Sequence, residues 1–169
     1  MKQPIYVSVI RIFILVAVLL AGSVSSVTAK ESKILEFDTM VGVPQAFTRD
    51  QNPIRGINGG GLPWTLSSAK GELTVGGHLE IEVQGLVLAA GANAGSNPIT
   101  SFRAIVSCLK SDASIQNITT DAFPATTGPA TSGGGNAKIE TNVSLPQPCI
   151  APIIFVTSPT GSWFASTGF

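Results

Sequence analysis

Histidine is almost missing from this sequence: one residue, His78, in 169, beside two cysteines, two tryptophans and one tyrosine. A single imidazole excludes a blue-copper centre, which takes two His with a Cys, and leaves a zinc site to be built mostly from carboxylates. A Ser-His-acid triad would have to turn on His78, and the local sequence supplies neither partner. Charge is scarce too, at 12% of residues, with Lys+Arg 10 against Asp+Glu 10. That balance offers no basic stripe for nucleic acid and no polybasic membrane patch. The residues after each glycine run exclude phosphate-loop chemistry. Gly59-Gly60-Gly61 runs into Leu62-Pro63-Trp64, and Gly133-Gly134-Gly135 into Asn136-Ala137-Lys138, with no Lys-Ser/Thr ending in either case.

What is present begins with a leader. Lys2 and Arg11 precede an unbroken apolar run over residues 12–21, and Val27-Thr28-Ala29 places compact residues where a signal peptidase reads. Residues 1–29 are therefore expected to be a secretory signal peptide cut between Ala29 and Lys30. The apolar run is about half the ~20 residues needed to cross a bilayer, and the chain has no second one, so no transmembrane segment is expected after leader removal. Residues 30–169 are then one domain of a size that supports a single core. Its charge balance is 8 basic to 10 acidic residues, since Lys2 and Arg11 leave with the leader.

The two cysteines, Cys108 and Cys149, make an even pair in a chain expected to be exported, and a structural disulfide is the expectation. Their wide separation argues against redox catalysis, which favours thiols close in sequence.

Period-two patterning runs through the rest. Leu79, Ile81 and Val83 alternate with His78, Glu80, Glu82 and Gln84. Residues 137–145 repeat this, with Lys138, Glu140, Asn142 and Ser144 outward. Strands are also expected over residues 34–41, 64–68, 72–75, 101–109, 114–119, 150–157 and 162–167. The run 150–157 is apolar on both faces and reads as central, with Pro152 confined to a bulge or an early position. Gly76-Gly77 has hairpin spacing. Residues 45–63, 89–97 and 124–136 read as loops, the last mobile and solvated. The fold class expected is all-β, an antiparallel two-sheet sandwich of seven to nine strands that resembles immunoglobulin-like domains in general layout. A small closed β-barrel is the alternative.

Chemistry-bearing residues are few. No catalytic, metal or cofactor-binding residue is assigned, and no cofactor is expected. His78 reads as a surface residue beside a turn. Glu80 and Glu82 read as a solvated face, and a carboxylate-based hydrolase would require Asp38, Asp50, Glu72, Glu80 or Glu82 to converge in one cleft. Trp64, beside its glycine loop, and Trp163 are the candidate ligand-binding residues, because an exposed aromatic can stack on a sugar ring or anchor a partner. Asn117-Ile118-Thr119 and Asn142-Val143-Ser144 fit the glycosylation pattern. The terminal Phe169 resembles the end of an outer-membrane barrel strand, against which stand ten prolines and no tyrosine after residue 29. The functional expectation is a secreted or periplasmic, non-catalytic binding or structural module recognising a polysaccharide or a cell-surface protein, with no nucleic-acid partner. The hydrolase and the membrane barrel are its alternatives.

Overall fold

The computed structural model describes residues 31–168, so the leader, its cleavage position at Ala29 and Lys30, and Phe169 lie outside the described residues. In chain order the strands are β1 (Lys33–Phe37), β2 (Val41–Gly42), β3 (Trp64–Thr65), β4 (Ser68–Thr74), β5 (His78–Gln84), β6 (Val87–Leu88) and β7 (Ser96–Asn97). They continue with β8 (Ser101–Leu109), β9 (Ile115–Thr119), β10 (Phe123–Pro124), β11 (Gly128–Pro129), β12 (Ala137–Asn142), β13 (Ile150–Thr157) and β14 (Trp163–Ser166).

Two antiparallel sheets carry the fold. The first runs β1-β4-β5-β12. The second runs β8-β13-β14-β2, with β9 and β10 paired to the remaining edge of β8. Neither closes into a barrel, so the sandwich is the architecture and the closed barrel is excluded. Short ribbons β3/β6 and β7/β11 complete it.

The residues that alternate in sequence make the core. Leu73, Leu79, Ile81, Val83 and Ile139 from the first sheet meet Phe102, Ala104, Val106, Ile154, Val156 and Phe164 from the second, all buried. Fully burying one such side chain contributes ~1.5–3 kcal/mol. The expected 34–41 strand is corrected. β1 ends at Phe37, and the chain crosses to the second sheet, where β2 pairs with β14. Asp38-Thr39-Met40 is the crossing, and a period-two run does not reveal that its halves serve different sheets.

β13 is central, as its apolar run implies, between β8 and β14. Pro152 sits in a register shift between Ile150 and Ile153, beside Ala151 at φ +45°. A bulge absorbs the missing N–H there.

Residues 45–63 do more than connect. They form a strap over the outer face of the second sheet. Phe47 meets Trp163 edge to face at 6.3 Å, and Trp163 meets Phe155 at 6.0 Å. Phe155 pairs across the sheet with Ile105, which is also buried. The strap's tip is a two-residue turn, Arg55 (φ +51°) and Gly56 (φ +77°), closed by reciprocal bonds between Ile54 and Ile57. From that tip the Arg55 guanidinium donates to the Ala151 carbonyl at 2.9 Å, and the Asn117 amide donates to the Arg55 carbonyl at 3.1 Å. At its return the Gly60 N–H donates to Trp163 O at 2.8 Å. Gly59 has its sequence reason here, since a Cβ on it would lie 2.0 Å from Phe47 O.

The 124–136 segment is exposed or half-buried over most of its length, as expected of a solvated loop, but the expectation that it is mobile is corrected. Its backbone is held by Thr126 N–H to Asn136 O (2.9 Å), Gly135 N–H to Thr126 O (2.7 Å) and Leu86 N–H to Gly135 O (3.0 Å). Gly134 and Gly135 are placed against neighbouring backbone. A Cβ on Gly135 would sit 2.3 Å from Leu86 O, so the glycine run here serves close backbone approach rather than flexibility.

Candidate functional site: the charged face of the first sheet

With the strap covering the second sheet, the first sheet presents its outer face to solvent. Antiparallel register places four glutamates directly opposite one another across four strands: Glu36 on β1, Glu72 on β4, Glu80 on β5 and Glu140 on β12. Like charges directly opposite repel. The adjoining rows supply the counter-charge. Lys33 reaches Glu36 at 2.7 Å and Glu72 at 2.5 Å. Lys138 reaches Glu140 at 2.8 Å and Glu80 at 3.1 Å. The next row is Lys70-Glu82-Lys138, with Lys70 to Glu82 at 2.9 Å.

Counting Asp38 just beyond β1, six carboxylates face three ammonium groups, a formal −3. The chain after residue 29 carries 8 basic and 10 acidic residues, −2 in all, so this face holds its whole negative excess. Glu36, Asp38, Lys70, Glu72, Glu80 and Glu82 line a shallow groove of about 720 Å³. Asp38, Glu72, Glu80 and Glu82 thus come together, and Asp50 sits apart in the strap. His78 is half-buried at the end of the face, opposite Asn142.

The titration of this face follows its pairs. Hydrogen bonding from Lys70 and then Gln84 lowers the Glu82 carboxyl below its ordinary range, and hydrogen bonding from Lys138 lowers Glu140. The partners move the other way: Glu36 and Glu72 raise Lys33, and Glu140 and Glu80 raise Lys138. A depressed carboxyl contributes stability that is present above its unfolded pKa and lost as pH falls through the folded value. A raised ammonium contributes stability that is present below its unfolded pKa and lost as pH rises through the folded value. Thermal midpoints should therefore hold a plateau from about pH 5 to about pH 10, declining on both sides. Because the groups are exposed, the declines should shrink in ~1 M salt, which melting curves across pH in low and high salt will measure.

The tryptophans take other positions. Trp163 is 0% exposed, beneath the strap. Trp64 is 5% exposed and stacks on Phe164, ring centroids 3.9 Å apart. Trp64 and Phe164 border a groove of about 330 Å³ that includes Gly60, Leu62, Leu88, Ser158 and Ser162.

Cys108 and Cys149 form the expected disulfide. It joins β8 to the residue that leads into its neighbour β13, within one sheet, whereas immunoglobulin domains bridge two sheets. It is compatible with an extracellular or otherwise oxidising environment. Among the described residues no group of three or more His, Cys, Asp and Glu is placed to hold a metal, and no helix is long and apolar enough to cross a membrane. Asn117 and Asn142 are both exposed.

Sequence reasoning singles out Glu80 and Glu82 and sets Lys138 and Glu140 outward on their own strand, but it misses Glu36, Lys33 and Lys70 and does not join the two strands into one lattice. No local signal carries cross-strand register, so those residues could not be joined from sequence alone. Comparison with protein-family models, curated proteins and solved structures finds no match to this chain.

Proposed function

We propose that the chain is an exported, non-catalytic β-sandwich module that binds a cell-surface protein through the outer face of its first sheet. The observation that carries this reading is the ordered glutamate row, with the molecule's negative excess gathered on one uncovered sheet face. A partner presenting lysines or arginines on a flat or gently convex surface complements it, and such contacts set encounter rate and register. Export is supported by the leader pattern and the disulfide. The hydrolase alternative asks for one carboxyl raised toward neutrality to act as acid. Both shifts resolved among the carboxylates of this face, at Glu82 and Glu140, run downward instead. A sugar-stacking reading asks for an open aromatic face, and Trp64 is almost wholly buried.

Replacing Glu36, Glu72, Glu80 and Glu140 together by glutamine turns the face from −3 to +1. Retention of the purified chain on envelopes of its source cells should fall at least ~tenfold, and retention of the wild type should weaken steeply with salt. Unchanged retention by the quadruple variant sinks the proposal.

A further inference from the structure

Sheet edges are templates for further strands, and proteins guard them with charge, proline, bulges or covering segments. Three edges of this sandwich show such devices. β1 carries Lys33 and Glu36, β12 carries Lys138 and Glu140, and β2 is only two residues long. β9 differs. Its sequence, Ile115-Gln116-Asn117-Ile118-Thr119, has no charge and no proline, and no strand pairs with its outer side among the described residues.

The phase of the β8–β9 ladder settles which groups that edge offers. Lys110 N–H donates to Ser114 O at 2.9 Å, and Thr120 N–H donates to Ala104 O at 3.0 Å. With Val106 opposite Ile118 and Cys108 opposite Gln116, the even-numbered residues of β9 turn their backbone groups toward β8. Ile115, Asn117 and Thr119 therefore turn their N–H and C=O groups outward. This set is self-complementary. A second β9 laid antiparallel about a two-fold axis at Asn117 sets Asn117 opposite its own copy and Ile115 opposite Thr119, and every outward group gains a partner.

We propose that the chain forms a two-fold dimer by antiparallel pairing of β9 with the β9 of a second copy, joining the two larger sheets into one. Nothing charged within β9 interrupts the seam, and Ile115, 49% exposed, gains an apolar neighbour in the methyl group of Thr119 across it. The dimer leaves the first sheet's outer face uncovered, so two copies of the glutamate row are displayed by one assembly.

Charge placed at the axis tests both the interface and its register. Asn117→Lys sets two ammonium groups face to face and Asn117→Asp two carboxylates, so each variant alone should raise the dimer dissociation constant at least ~tenfold. Mixing the two should restore dimers as a one-to-one heterodimer, visible as a distinct mass in native mass spectrometry. Sedimentation of the wild type from ~1 to ~200 µM should show the monomer–dimer transition. Amide exchange should show concentration-dependent protection at Ile115, Asn117 and Thr119 and none at Gln116 or Ile118, a readout that needs no variant. A wild type that stays monomeric across that range overturns the proposal. So does a dimer indifferent to both charges, or a mixture that fails to pair.

Discussion

Trp163→Ala is expected to lower stability by ~3–5 kcal/mol and the thermal midpoint by ~10–20 °C. The indole is fully buried, flanked edge to face by Phe47 from the strap and Phe155 from β13. Its backbone also holds the strap, since Trp163 N–H donates to Asn58 O and Gly60 N–H donates to Trp163 O. Alanine keeps those backbone bonds and removes what they are packed around. The loss should thus show first as opening of residues 45–63, read as amide exchange at Arg49 and Gly59 outpacing exchange in β5. A drop of only a few degrees, with the strap still protected, would mean that backbone bonding rather than aromatic packing seats it.

Removing the disulfide is the second large effect. Cys108→Ala with Cys149→Ala should cost ~2–5 kcal/mol, and reductant should reproduce most of that loss in the wild type. The bridged residues are 41 apart, and the loop between them contains β9, β10, β11 and β12. In the chain-entropy model, closing such a loop restricts the unfolded chain by ~4 kcal/mol. That loop supplies strands to both sheets, β12 to the first and β9 to the second, so the crosslink restrains the unfolded chain where the sheets must find each other. Urea unfolding with and without reductant measures the difference. A loss under ~1 kcal/mol would show that the denatured chain keeps the β8–β13 pairing by itself.

The sequence made some of this legible for a definite reason. β5 and β12 have one wet and one buried face, so alternation of Leu79, Ile81, Val83 and Ile139 with charged neighbours identified them directly. The cysteine pairing was equally accessible, because only one pairing of two cysteines exists. β13 read as apolar on both faces without saying what lay against each. The answer, the strap, carries few apolar residues and depends on Gly59, whose purpose is visible only beside Phe47 O. Residues 124–136 misled for the same reason: Gly, Pro and Thr composition reads as mobility until Leu86 and Thr126 are seen to hold it. The charged face was half legible, since Glu80 and Glu82 share a strand while Glu36 and Glu140 join them only through register.

The strap also sets how freely this sequence can drift. A two-layer sandwich leaves alternate positions of every strand open to substitution. Here that freedom is kept by β5 and β12 and withdrawn from much of β8, β13 and β14, where both parities are enclosed. Descendants of this chain should therefore diverge in stripes along the first sheet and change little along the second. Substitutions under the strap should arrive in pairs, one on the sheet and one among residues 45–63, because neither surface can change shape alone.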